Sequence, residues 1–329
     1  MEITIPEGLP ADVGERLTEF IASHRLKRAP RLYDDTTESM KIDYGDVIYV
    51  DRKYFFVTGY EKEGRFGIDD EPKFWVKRAV NLENGESRIL KLVFHEQFAM
   101  TIGPLKVTCY RHPEKEAKVL DLVRGHRHFM QGYSVEDTAG NCVRIIEIIR
   151  GKRLDKHIAA AQGKNHREYF EQSVPDILRQ YLECVHAIGL LHEHGLKHGD
   201  IRRDHIYIER RTGLFKWIDF DYDFYLPERP FAHDLLGLGN ILLFIIGRGE
   251  GRPVDIYNDP ELGPAVIDRL TTDDLSLFAK DRIVNLKKLY PYIPEELNRI
   301  LMHFSQGTMV FYDTVEELYT ELKEYVDAL

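Results

Sequence analysis

The first apolar signal in the chain has a helical period. Over residues 11–26, ADVGERLTEFIASHRL, Val13, Leu17, Phe20 and Ile21 recur at the three- and four-residue spacing that lines one face of a helix. The next stretch, KRAPRLYDDTTES, is polar and broken by Pro30, and reads as a linker. From residue 46 the period shortens to that of strands. DVIYV (46–50) and KYFFVTGY (53–60) are rich in Val, Tyr and Phe and are divided by the polar DRK. FWVKRAV (74–80) and SRILKLVF (87–94) flank NLENGE, whose Asn84-Gly85 pair tolerates the left-handed backbone of a tight hairpin turn. PEKEAKVLDLVRG (113–125) opens with Pro113 in its first turn and closes at Gly125, which predicts a helix. Two more strand patterns, HFMQGYSVED (128–137) and NCVRIIEII (141–149), lie on either side of the turn TAGN.

After Gly151 the helical period returns. VPDILRQYLECVHAIGLLHEHG (174–195) sets Ile177, Leu178, Tyr181, Leu182, Val185, Ile188 and Leu191 on one face. AHDLLGLGNILLFIIG (232–247) is apolar nearly all round, so this helix is expected to be buried on every side. IPEELNRILMHFSQG and VEELYTELKEYVDAL close the chain as amphipathic helices. The pattern predicts an α+β protein: a helical extension and linker over 1–45, a small antiparallel β lobe with one central helix over 46–150, and a larger α-helical lobe over 151–329. No internal repeat or low-complexity tract interrupts it.

Composition narrows the classes. A chain of 329 residues is long enough for two separate cores. A formal net charge of −10 argues against nucleic acid as a partner. Cys109, Cys142 and Cys184 are odd in number and form no CxxC pair, so reduced thiols are expected rather than a disulfide framework or a thiolate zinc site. ILLFIIG (241–247) is too short to span a bilayer, and MEITIPEGLP lacks the basic-then-apolar pattern of a signal peptide. A cytoplasmic location without a membrane span is the expectation; the oligomeric state is left open.

The chemistry concentrates in HGLKHGDIRRDHIYI (194–208) and, shortly after it, WIDFD (217–221). Folding alone gives no reason to hold two carboxylates, Asp200 and Asp219, beside two short strand-like segments. A site for metal-bound phosphate gives one, because hard divalent cations take carboxylate oxygens. His192, His194 and His198 fall at one helix end and loop, a spacing that does not bring three imidazoles to one point.

HGDIRRDH followed by IDFD, and preceded by LLHEHGLK, resembles the catalytic and metal-binding loops of the protein-kinase-like superfamily, which includes eukaryotic-type protein kinases and the aminoglycoside and sugar kinases. Six motifs arrive in the family order across residues 50–325. The resemblance implies a bilobal fold and ATP-dependent transfer of the γ-phosphoryl group to a hydroxyl acceptor, a protein Ser/Thr or a sugar, with Mg²⁺ or Mn²⁺. It gives Lys91 in SRILKLVF the α- and β-phosphates and Glu116 the role of pairing with that lysine. Ile146 would line the back of an adenine pocket, and the backbone of Glu147 to Ile149 would bond the adenine edge. Asp200 matches the catalytic aspartate, Arg202 a cation that offsets charge on the transferring group, and Asp219 the metal-binding aspartate. Asp234 resembles the buried aspartate that braces the catalytic loop, and YDTVEELYTELKEYV the closing helix. Lys77 in FWVKRAV is a rival for Lys91 and would pair with Glu96, but no strand then remains between the glycine loop and the lysine.

Three positions depart from the family pattern. His205 stands where an asparagine takes the second metal, so the site holds one metal ion, a softer ion such as Mn²⁺ with His205 as ligand, or none. EKEGRFGIDDEPK (61–73) stands where a glycine-rich loop is expected, with Gly64 and Gly67 but also Asp69, Asp70 and Glu71, which repel phosphate unless a longer loop turns them outward. Only fifteen positions separate Asp219 from Asp234, and Gly199 replaces the arginine that would clamp a phosphorylated activation loop. The short segment favours a sugar acceptor, whereas the C-terminal helices favour a protein. The rival functional reading is a pseudokinase, a nucleotide-binding or scaffolding module without turnover.

Overall fold

The computed structural model describes residues 5–65, 68–102, 105–259, 262–279 and 281–329. By its internal contacts the chain forms two compact units, one of Met1–Glu96, Arg111–Gly125 and Met130–Ile149, the other of Gln97–Tyr110, His126–Phe129 and Arg150–Leu329.

The first unit is a sheet with two helices. Helix α1 (Ala11–Ser23) is followed by β1 (Leu32–Tyr33), β2 (Val47–Val50), β3 (Lys53–Arg65), β4 (Ile68–Asn81) and β5 (Ser87–Lys91). After β6 (Gln97–Ile102) and β7 (Leu105–Arg111), whose residues up to Tyr110 belong to the second unit, the first unit continues with α2 (Pro113–Leu122), β8 (Gly132–Glu136) and β9 (Cys142–Glu147). Seven strands form one sheet in the order β1-β2-β3-β4-β5-β9-β8, antiparallel except at β1 and β2. Successive side chains of a strand point to opposite faces, and the sheet uses both. Val47, Phe56 and Leu82 pack with Val13, Leu17 and Ile21 of α1, while Ile48, Phe55, Val57, Leu90 and Ile145 form a second core.

Within 61–73, residues 61–65 and 68–73 are strand. β3 runs to Arg65 and β4 starts at Ile68, with Lys62 opposite Pro72 and Glu63 opposite Glu71. Asp69, Asp70 and Glu71 therefore lie in a strand rather than on a longer loop; Gly67, part of the expected glycine-rich loop, is outside the described residues. Backbone pairing carries this hairpin, with three shifts of register along it, and a double hydrogen bond from Arg78 to Glu61 supports it.

The second unit is mostly helical. It holds β10 (Gly151–Arg153), α3 (Leu154–Ala159), α4 (His166–Gln172), α5 (Val174–Glu193), β11 (Ile206–Glu209), β12 (Phe215–Trp217), β13 (Tyr222–Tyr225) and α6 (Ala232–Gly247). The short α7 (Pro253–Tyr257) and α8 (Pro264–Ile267) precede α9 (Glu295–Met302) and α10 (Val315–Asp327). β10, β11 and β12 make one small sheet, and β13, β7 and β6 another. Helix α6 is buried along nearly its whole length, as its sequence predicts. Its carbonyls at Leu238 and Ile245 accept the hydroxyls of Tyr181 (2.6 Å) and Tyr169 (2.7 Å). Gly237 lets α6 press on the loop that carries Asp200, since a Cβ there would sit 2.8 Å from the carbonyl oxygen of Ile201. Among the described residues no helix is long and apolar enough to cross a membrane. The architecture is the expected α+β one, a small sheet unit and a larger helical unit.

Candidate active site

In the first unit, the register of β5 and β9 sets Lys91 directly opposite Arg144. Like charges facing each other across a sheet repel, so this pairing needs an anion. Glu116 supplies it from the first turn of α2, where the helix dipole also favours a carboxylate. One oxygen accepts from Lys91 Nζ at 2.7 Å and the other from Arg144 Nε at 3.1 Å. Arg144 also donates to the carbonyls of Cys142 (2.7 Å) and Leu92 (3.3 Å). All three side chains are buried, so each charge is held by its partners rather than by water. Arg144 was not among the residues singled out from the sequence. Its signal there was a lone cation in the otherwise apolar strand CVRIIE.

The rival lysine has a different setting. Lys77 is fully buried, donates to the carbonyl of Ile42 at 2.5 Å and lies 4.7 Å over the Tyr60 ring. Burial pushes its pKa down to about 8. Glu96 pairs with Arg111 at 2.9 Å. Ile146 is buried in β9 between Ile89 of β5 and Gly132 of β8. Glu147 is exposed, and its N–H donates to the carbonyl of Gln131 at 2.9 Å, which commits that donor within the unit; Ile149 is the unit's last residue.

In the second unit, Asp234 in the first turn of α6 fixes the loop before Asp200. Its carboxylate accepts the N–H of His198 (2.8 Å), the N–H of Gly199 (2.9 Å) and His192 Nε2 (3.1 Å). Burial alone would raise its pKa; the hydrogen bond from His192 and the neighbouring His198 and His233 rings outweigh this and hold the carboxyl well below its ordinary range. His198 is buried edge-on to Trp217, with ring centroids 5.0 Å apart. The three histidines named together in the sequence are engaged separately, since His194 Nδ1 bonds the carbonyl of Leu190 at 2.9 Å.

His205 sits between the two carboxylates. Its Nδ1 lies 2.8 Å from the carbonyl oxygen of Asp200, and because a carbonyl only accepts, the proton is assigned to Nδ1. In the neutral ring this leaves the lone pair on Nε2, which faces Arg202 Nη2 (3.3 Å) and Asp219 Oδ2 (3.6 Å). The Asp200 carboxylate stands 3.5 Å from Nδ1. Asp219, between β12 and β13, has a φ of +61°, a left-handed backbone that is uncommon outside glycine and recurs at functional sites. Arg202 pairs with Asp204 at 2.8 Å and is 3.8 Å from Asp200. Burial would raise the Asp204 pKa, but the electrostatic influence of His205 and Arg202, its own backbone N–H and the hydrogen bond from Arg202 outweigh this and lower it. Asp200, Arg202, His205 and Asp219 are thus brought together within one unit. Among the described residues no set of three or more His, Cys, Asp or Glu side chains is placed to hold a metal ion. Asp219 Oδ2 and His205 Nε2, 3.6 Å apart, are a mixed oxygen–nitrogen pair, a donor chemistry that would suit Mn²⁺ better than Mg²⁺.

A sheet lysine paired with a helix glutamate, and a helical unit whose HGD loop is braced by a buried aspartate, define a kinase-like class of protein. No family model matches the chain. It is similar to CDPK-related kinase 4 of Arabidopsis thaliana, 24% identical over 165 residues, which is 50% of this chain and 26% of that one. It is also similar to sperm motility kinase 2B of Mus musculus, 24% identical over 241 residues, 64% of this chain and 47% of that one. A third relative is the death-associated protein kinase dapk-1 of Caenorhabditis elegans, 22% identical over 163 residues, 49% of this chain and 11% of that one. These low-identity, partial similarities support the chain as a divergent member of the protein-kinase-like superfamily. It spans at most about half the length of these curated relatives.

Proposed function

We propose that the chain is an ATP-dependent phosphotransferase that moves the γ-phosphoryl group to a hydroxyl acceptor. The observation that carries this reading is the approach of two carboxylates from separate loops, Asp200 and Asp219, to the two nitrogens of His205 at 3.5 and 3.6 Å. In the reaction, the acceptor oxygen bonds to the γ-phosphorus as the bond to the β-bridging oxygen breaks, and ADP leaves. Asp200 orients the hydroxyl and accepts its proton, and Arg202 offsets charge on the transferring group. Asp219, with His205 beside it, holds the divalent cation. That cation, Mg²⁺ or Mn²⁺, neutralises the phosphate charge when bound. Lys91, steadied by Glu116, holds the α- and β-phosphates, while Ile146 and the backbone of Glu147 to Ile149, at Glu147 through its carbonyl, receive the adenine. A relative named as a protein kinase supports a protein hydroxyl as acceptor, and the short segment between Asp219 and Asp234 supports a sugar as the alternative.

Nucleotide affinity tests the assignment. Lys91→Met and Asp219→Ala are each expected to weaken ATP binding about tenfold or more, an amount typical of one lost charge-assisted contact. Unchanged affinity in both variants would remove the nucleotide reading. The pseudokinase reading is favoured by His205 at the asparagine position. Thermal melting of the wild-type protein with ATP and either Mg²⁺ or Mn²⁺ separates the two. At a hundredfold excess over Kd, a bound nucleotide adds about 2.7 kcal/mol to stability, and no shift with either metal would favour the scaffold.

A further inference from the structure

The segment that follows Asp219 is held from several directions within the second unit. β13 (Tyr222–Tyr225) joins the hairpin β6–β7 in a three-stranded sheet, so main-chain pairing fixes it. The Phe98 ring meets the buried Tyr222 ring edge-on at 5.7 Å. Lys197, three residues before Asp200, donates to the carbonyl oxygen of Phe224 at 2.7 Å, pairs with Asp223 at 3.2 Å and lies 4.3 Å over the Phe224 ring. Gly199, with a φ of +86°, lies so close to this strand that a Cβ on it would collide with the carbonyl oxygen of Tyr222. No side chain, and so no phosphate-clamping arginine, can occupy that position with β13 where it is.

The sequence between Asp219 and Asp234 contains neither serine nor threonine. Of its two tyrosines, Tyr222 is buried and Tyr225 is 71% exposed. The left-handed backbone of Asp219 lies three residues before β13, and such strain persists only where the surroundings over-determine it. We propose that the hairpin β6–β7 and Lys197 form a permanent clamp on β13, which positions Asp219 without phosphorylation. The role given to Asp219 rests on the phosphotransferase reading; the clamp itself does not. Phe98 and Lys197 are assigned as positioning residues, since each acts through β13.

Hydrogen exchange on the full unphosphorylated chain tests the clamp directly. The amides of Tyr222–Tyr225 should exchange slowly in the wild type, about tenfold faster in Lys197→Met and in Phe98→Ala, and near the wild-type rate in Lys197→Arg, with α5 and α6 unchanged throughout. The transfer rate should fall by a similar factor in the first two variants and survive both phosphatase treatment and Tyr225→Phe. Fast exchange in the wild type, or wild-type exchange in both Lys197→Met and Phe98→Ala, overturns the proposal. So does transfer that phosphatase abolishes. A wild type that shows the exchange pattern but transfers no phosphate supports the clamp and defeats the phosphotransferase reading instead.

Discussion

Glu116 separates two buried cations that the sheet register forces together. Removing one partner of a buried ion pair leaves uncompensated charge, which costs about 3–5 kcal/mol. Glu116→Ala is therefore expected to lower unfolding stability in urea by that amount, and a loss below about 1 kcal/mol would show that water reaches the pair. Asp234 gives a pH signature. Its folded-state pKa lies below the ordinary 3.8, so its stabilisation is complete above that value and is lost as the pH falls below it. The stability gap between wild type and Asp234→Asn should be constant near neutrality and narrow in acid; a gap that widens in acid would contradict this. At this scale the sequence order of motifs was enough to bring Lys91, Glu116, Asp200 and Asp219 to notice. Arg144 was not, because an arginine at a strand position reads as solvent-facing until the register is known.

Among elements, α1 was legible from its apolar period, but not the surface it covers. Leu17 is fully buried with Val47, Phe56 and Leu82, so Leu17→Ala is expected to cost about 2–5 kcal/mol in denaturant unfolding. A cost under about 0.5 kcal/mol would mean that α1 is not part of the folded unit. The extension of β3 to Arg65 and of β4 back to Ile68 was invisible to pattern reading, which looks for alternating apolar residues, whereas these segments are polar and depend on backbone pairing. The hairpin β6–β7 was legible and overlooked. Val107 and Cys109 are buried two apart, with Thr108 and Tyr110 half-exposed between and after them, and Gly103-Pro104 is a turn signal in the sequence. It lies between the lysine strand and the glutamate helix, a span in which the sequence pattern was assigned no element.

For the whole molecule, the account stands on chemistry at Asp200. Its carboxylate lies beside His205 and within 3.8 Å of Arg202, in a loop that Asp234 braces from α6. Neither the loop nor the brace depends on the aspartate side chain itself, so a variant there should fold and bind nucleotide as the wild type does. The most direct measurement is γ-phosphoryl transfer from ATP, with Mg²⁺ and with Mn²⁺, by wild type and Asp200→Ala, alongside their nucleotide affinities. The account predicts transfer by the wild type with at least one metal, a loss of about 10²–10⁴-fold in the variant, and affinities equal within a few-fold. Undiminished transfer by Asp200→Ala, at equal affinity, would contradict it.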